Sequence, residues 1–298
     1  MFTGRGTGRR IVVVASHDDA VAATTADLLR THASQPALLV DESTLSRARV
    51  VHRPASGPAA SKGDVRAVAG DALTLPDGTV LDAASCLIWW RLPGYPAPLV
   101  AADHRDYAAA ETHALGLSWL AGLGQAVVNA PHPTCLAGLQ PSLLQLGMFA
   151  RQAGLRMARF ALASSATHYR RGPGLAAACW DGLVVPTGVG HADKPRGGPP
   201  LPQPLFLVEE LEWRTTMLVV GNEVAGPRLD LREQLVQLAR LADLACAEVS
   251  LGEDPGTGEA VVTGLSPIPE LTQVSQLTAM VRYLERRAEA PAMGVVAS

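Results

Sequence analysis

The chain has 298 residues, 48% of them hydrophobic, and a formal net charge of -3 with a pI near 6.2. That apolar share can bury a full core, so disorder is excluded as the organising state, and the length suits one large α/β unit or two modest domains. Mild acidity argues against a nucleic-acid partner, which gathers Lys and Arg on one face; the lack of any run of about 18 uncharged apolar residues argues against a membrane span; and without an apolar h-region at the N-terminus a cytoplasmic protein is expected.

The basic N-terminal stretch "GRGTGRR" reads as a solvated tail or as a phosphate contact. "RIVVVAS" (10–16) is an apolar run of buried-strand length, followed at 18–33 by apolar positions at helical spacing and at 36–41 by a second strand, "PALLVD". This is a β-α-β start with parallel pairing. A Pro-Asp-Gly turn inside "DALTLPDGTVLDA" (71–83) predicts a hairpin. "SCLIWWRLPGYPAP" (85–98) is a strand running into a proline-stiffened loop, and a long helix over 103–123 leads to a short strand, "AVVN" (126–129), which stops at "APHPT".

"QPSLLQLGMFARQAGL" (140–155) is an amphipathic helix with Pro at its start and Gly154 near its end. "RMARFALAS" (156–164) reads as a strand, and the Gly/Pro-rich stretch 171–204 reads as loop broken by the strand-like "GLVVPT". "PLFLVEELEW" (204–213) and "RTTMLVVGNEVAG" (214–226) read as paired antiparallel strands with a turn at "GN" or "NE". A periodic helix at 231–247, a strand at 260–265 and a closing helix at 276–288 with basic residues in its last turn complete the order. The fold class is therefore α/β plus α+β, with residues 1–133 as an α/β domain and 134–298 as an α+β domain.

Free-standing chemical signatures are sparse. Cys86, Cys135, Cys179 and Cys246 are scattered, without zinc spacing or a compact disulfide framework. His132 and Cys135 in "HPTC" lack a third, orienting group for a nucleophile, and no G-x-S-x-G, H-E-x-x-H or Walker sequence occurs. "GRGTG" precedes its strand, whereas a dinucleotide loop must follow one. His17, at the end of the first strand, lies in "SHDD", a helix-capping pattern.

Four landmarks then occur in order: "IWWRLPGYP" (88–96), "NAPHP" (129–133), "LLQLGMFARQAGL" (143–155), and "FLVEELEWRTTMLVVGNEVAG" (206–226) with "GLSPIPEL" (264–271) beyond it. Together they resemble an ATP-grasp protein, and specifically are similar to the graspetide or microviridin-type ligases that macrocyclise ribosomal peptides; the resemblance spans roughly residues 10–287. It implies a pre-ATP-grasp α/β domain followed by an ATP-grasp α+β domain, with 171–204 as the lid region and ATP between two sheets. It also implies acyl-phosphate chemistry, in which lysines neutralise the phosphates and acidic residues with an Asn hold Mg²⁺.

Residue by residue, the resemblance implies a degenerate site. One family lysine falls at Ser142, with Gln140 nearby, and the second at Pro186, with Lys194 in the following loop. The acidic strand residue falls at Ser250, two positions beyond Glu248, and the Glu-x-Asn-Pro motif reads here as "GLSP", placing Gly264 and Ser266 where a carboxylate and an amide belong. No catalytic residue and no metal ligand is expected. "VEEL" matches the nucleoside-binding linker, so Glu209, Glu210 and Leu211 keep a nucleotide-binding role, while Arg214 and Arg91 match peptide or phosphate contacts. Arg91 with Glu111 equally suits a structural ion pair at the domain junction.

The expected function is a pseudoenzyme that binds a precursor peptide or an active ATP-grasp ligase partner, with no cofactor. The alternative is a working ATP- and Mg²⁺-dependent carboxylate-amine or carboxylate-alcohol ligase using Lys194, Glu248, Glu253 or Asp254. A homodimer is implied by the resemblance alone.

Overall fold

A computed structural model describes residues 8–33, 37–51, 72–96, 101–163, 175–178, 205–209, 211 and 214–290. Strand β1 (Arg10–Ala15) carries five successive buried residues, Ile11 to Ala15, the pattern of a strand covered on both faces. Helix α1 (Ala20–His32) starts where the Asp19 carboxylate accepts a hydrogen bond from the Ala22 N–H at 2.9 Å, so the capping role expected of "SHDD" belongs to Asp19. Strand β2 (Ala37–Asp41) lies parallel to β1, and α2 (Glu42–Leu45) is a single turn capped by Asp41. Strands β3 (Arg49–Val51), β4 (Ala72–Thr74) and β5 (Val80–Leu81) form a small antiparallel sheet whose β4–β5 turn is the expected Pro-Asp-Gly hairpin.

Strand β6 (Cys86–Trp90) pairs with the other side of β1, giving a parallel sheet in the order β2-β1-β6. Helix α3 (Arg105–Gly122) brings Trp119 edge-on to Trp90, ring centroids 6.2 Å apart, while Trp90 stacks on Tyr95 at 5.9 Å. Gly116 makes this approach possible, because a Cβ there would lie 2.6 Å from the Tyr95 ring.

The strand expected at 126–129 does not form. Val127 makes a single parallel bridge to Ile88, and the Val128 N–H donates to the Ile88 carbonyl at 2.9 Å. The ladder then stops because Asn129 uses its side chain instead. Its Nδ2 donates to the carbonyls of Ala137 and Cys246 at 2.9 Å each, and its Oδ1 accepts from the Cys246 N–H at 2.8 Å. A buried amide thus performs a strand's hydrogen bonding across 117 residues of sequence.

Helix α4 (Leu143–Gln152) opens with a capping box between Ser142 and Gln145 and closes at Gly154, where φ is 74°. The single strand expected at 156–164 is two strands in different sheets. β7 (Arg156–Met157) lies parallel to β14 (Ala260–Ser266), and β8 (Phe160–Ala163) pairs antiparallel with β10 (Leu205–Glu209). Strand β9 (Leu175–Ala178) flanks the other side of β10 (Leu205–Glu209). The remainder of 171–204 lies outside the described residues.

Strand β10 does not pair with β11 (Arg214–Val220), contrary to the sequence expectation. Both edges of β11 are taken, one by β12 (Glu223–Ala225) across the Gly221–Asn222 turn and the other by β13 (Cys246–Glu253). Helix α5 (Arg232–Leu241) connects β12 to β13; then come β14 (Ala260–Ser266) and α6 (Val274–Glu289). The large sheet has the order β12-β11-β13-β14-β7. This mixture of α/β and α+β units agrees with the expected ATP-grasp-like fold class.

One core cluster joins the N-terminal and C-terminal halves. Ile11 and Val13 of β1 pack in the same buried group as Leu218 and Val220 of β11 and Met280 and Leu284 of α6. Helix α6 inserts its apolar stripe between the two sheets, which explains its strong amphipathicity. Among the described residues no helix is long and apolar enough to cross a membrane.

Replacing Asn129 with Ala strands the buried Cys246 N–H and carbonyl. We expect unfolding stability to fall by about 3 kcal/mol, read from urea denaturation midpoints at constant m-value; a change below about 1 kcal/mol would mean water takes over those bonds.

Candidate functional site

The β13–β14 ladder gathers the positions matched to the expected metal-binding motifs. Ser250 stands opposite Gly264, and Glu248 opposite Ser266. Because strand side chains alternate, these four share one face, while Val249, Leu251 and Leu265 enter the hydrophobic cluster beneath the other. On the far side of β13, Thr216 of β11 pairs with Ser250, so the row across three strands reads Thr216, Ser250, Gly264. Thr216 was not singled out from sequence, since a lone Thr in a strand carries no signal. A Cβ on Gly264 would sit 3.4 Å from the Ser250 Oγ, ordinary contact distance, so the site has room for the start of a side chain.

Two groups hold the turn after β14. The Ser266 hydroxyl donates to the Ile268 carbonyl at 3.0 Å and accepts from the Ile268 N–H at 3.1 Å. The Glu248 carboxylate, 2% exposed, accepts from the Glu270 N–H at 2.8 Å. Burial pushes the Glu248 carboxyl above the ordinary carboxylate range; the Glu270 N–H and the Arg91 charge oppose that shift without cancelling it.

Arg91 braces the same turn from the N-terminal half. Its Nε and one Nη reach both oxygens of Asp19 at 2.7 and 3.2 Å, the other Nη donates to the Pro269 carbonyl at 2.8 Å, and the guanidinium lies 4.7 Å from the centre of the Trp89 ring. The residue is buried. The ion-pair partner is therefore Asp19, not Glu111, which sits on the exposed side of α3.

The other expected residues separate. Leu211 packs on Gly252, where a Cβ would run into its side chain, and so lies beside the strand face that carries Glu248 and Ser250. Arg214 is exposed at the start of β11, in register with Gly252. Glu209 ends β10, opposite Leu175, while Glu210, Pro186 and Lys194 lie outside the described residues. Ser142 caps α4, its Oγ accepting from the Gln145 N–H at 3.3 Å. Asp254 is spent on the hairpin end, accepting from Gly256 and Thr257 and pairing with Arg156 at 2.7 Å. Cys135 is buried with its thiol pushed up by desolvation, and the His132 Nδ1 contacts the Thr134 hydroxyl at 2.9 Å.

Mg²⁺ favours hard, anionic oxygen ligands. The row Thr216, Ser250, Gly264 supplies two neutral hydroxyls and a hydrogen atom, and the carboxylate one row away is buried on a backbone N–H. This donor set does not fit the ion. Among the described residues no group of three or more His, Cys, Asp and Glu is placed to hold a metal.

Two outcomes check this geometry. Because the folded state holds the Glu248 proton more tightly than the unfolded chain, stability is lost as pH rises from the ordinary Glu range through the raised value. Glu248→Gln keeps an acceptor for Glu270 and removes that slope in urea unfolding measured across pH; parallel curves for the two proteins would refute the assignment. Arg91→Ala leaves Asp19 without its partner and should cost about 3 kcal/mol of unfolding free energy, whereas a purely ligand-facing arginine would leave stability unchanged.

No protein-family model matches the chain, and no curated protein matches it significantly. Solved structures do. The macrocyclase MdnC bound with precursor peptide MdnA from Microcystis aeruginosa MRC superposes with a TM-score of 0.63 at 14% identity, over 93% of this chain and 98% of that one. The ATP-grasp ligase PsnB complexed with minimal precursor, Mg and ADP gives 0.62 at 15% identity, over 94% and 98%. A Chryseobacterium gregarium RiPP-associated ATP-grasp ligase, in complex with ADP and a leader and core peptide, gives 0.63 at 10% identity, over 95% and 98%. Along nearly its whole length the chain therefore has the fold of these macrocyclase and ATP-grasp ligase structures.

Proposed function

We propose that the chain is a catalytically degenerate ATP-grasp-like protein acting in the maturation of a ribosomal peptide, where it binds a precursor peptide or an active ligase partner. The observation that carries this reading is the row Thr216, Ser250, Gly264. Two of its members, Ser250 and Gly264, stand where the resemblance calls for carboxylates, and the row offers neutral groups throughout. Phosphoryl transfer depends on positioned charge, and a single such contact is worth roughly 3–4 kcal/mol in other active sites. Ser142 adds support, since the position of a phosphate-binding lysine here caps a helix.

Peptide binding needs no metal. MdnC and the Chryseobacterium ligase were each solved with a peptide bound, and a peptide-binding surface can outlive the catalytic charges. In this reading Arg214, exposed at the start of β11, contacts an acidic peptide, Arg91 is committed to the fold, and residues 1–133 and 134–298 act as the two domains.

Calorimetric titration with a non-hydrolysable ATP analogue and Mg²⁺, using an intact ATP-grasp ligase as control, tests the proposal. No heat is expected from this chain where the control binds at micromolar concentration. Micromolar binding would overturn the degenerate reading in favour of an active ATP-dependent ligase with displaced contacts. The double variant Ser250→Asp, Gly264→Glu should gain Mg²⁺-dependent thermal stabilisation, because ligand that binds only the folded state raises the melting temperature.

A further inference from the structure

A concavity lies away from the row Thr216, Ser250, Gly264. It has a volume of roughly 620 Å³ and is walled by the end of α3, the segment 124–131, the β11–β12 turn, the end of α5 and Arg287 of α6. That volume falls within the usual range of small-molecule sites. The cleft includes Ala245, just before β13. Ser250 is five residues further along, about 16 Å at strand rise, so the two sites are separate.

Its floor is apolar, with Leu120, Val128 and Leu244 among the lining residues. Its walls are fixed. Arg287 is spent on the carbonyls of Gln125, Val127 and Val128 and on the Tyr283 hydroxyl, and Asn129 ties the neighbouring loop to Cys246. Two charges on the rim are not spent in this way. Exposed Arg240 makes one side-chain hydrogen bond, 2.7 Å to the Asn222 Oδ1, and has no ion pair among the described residues. Asp243, exposed and held at φ 54° just past α5, has no side-chain partner among the described residues. The left-handed turn at Asp243 closes α5, the Leu244 N–H donating to the Ala239 carbonyl at 2.9 Å and the Asp243 N–H to the Arg240 carbonyl at 3.0 Å.

The field has two poles. Arg240 offers a guanidinium to a carboxylate, reinforced at longer range by the charge of Arg287. Asp243 offers a carboxylate to an ammonium group, and the C-terminal ends of α3 and α5, both in the wall, add the negative ends of two helix dipoles.

We propose that this cleft is a binding site for a small zwitterion with an apolar body, an α-amino acid or short free peptide, whose carboxylate pairs with Arg240 and whose ammonium pairs with Asp243. The site stands independently of the nucleotide question, since no residue of the Thr216, Ser250, Gly264 row lines it.

Ligand-observed NMR titration of the full chain with L-phenylalanine, its amide and its N-acetyl derivative tests the site. L-phenylalanine should bind, and each blocked form should bind about tenfold more weakly. Arg240→Gln should abolish the preference for the free acid over the amide, and Asp243→Asn the preference for the free amine over the acetylated form. Both side chains are exposed, and Asn tolerates positive φ, so both variants should fold; Arg240→Lys, which keeps the charge, should retain part of the first preference. Failure of L-phenylalanine to bind, equal binding of all three probes, binding of only one blocked form, or preferences unchanged in the variants would each overturn the proposal.

Discussion

The guanidinium of Arg91 is the point on which the two halves of the molecule depend. Extending from β6, it takes both oxygens of Asp19, the residue that caps α1, and the carbonyl of Pro269 in the turn after β14. One planar group thus fixes the start of a helix, the end of a parallel strand and a turn 178 residues away. Asp19 serves twice, since the oxygen that accepts from the Ala22 N–H also accepts from Arg91. Burying such a pair is costly unless its hydrogen bonds are met, and here three donors of the fork are met and the ring of Trp89 covers its face.

The turn held by Arg91 is the same turn whose ladder bears the neutral row. Glu248 holds it from below through Glu270, Ser266 closes it locally, and Arg91 holds it from the side. Its backbone needs no ion to keep its shape, because side chains meet its polar groups. The left-handed Leu271, at φ 46°, follows directly, and its place in the core cluster shared with β1 and α6 offsets the cost of that conformation.

Much of the fold was legible because β1 and β6 are unbroken apolar runs and α5 and α6 have strong helical periodicity, although the helix expected at 231–247 ends at Leu241 and its last two expected residues open β13. What stayed hidden was local pattern overruled by distant partners. "AVVN" has the composition of a strand, yet Asn129 turns its amide to Cys246 and halts the ladder. "RMARFALAS" reads as one strand, but β7 and β8 answer to different sheets because the Ala158 N–H between them is taken by the Val262 carbonyl. In the site, the motifs single out Ser250 and Gly264, whereas their meeting on one row, the contribution of Thr216 and the choice of Asp19 over Glu111 depend on register and packing that no single segment encodes.

The junction of β1 with α6 has a consequence for how the molecule is made. The Arg9 N–H donates to the Ala288 carbonyl and the Arg9 side chain to the carbonyl of Arg287, across 278 residues. Strand β1 is thus sealed by α6. Contacts so distant in sequence close late, after their loop entropy has been met by other interactions. Until α6 docks, the face of β1 that bears Ile11 and Val13 lacks part of its cover, and those apolar side chains are the surface most open to wrong contacts while the chain folds.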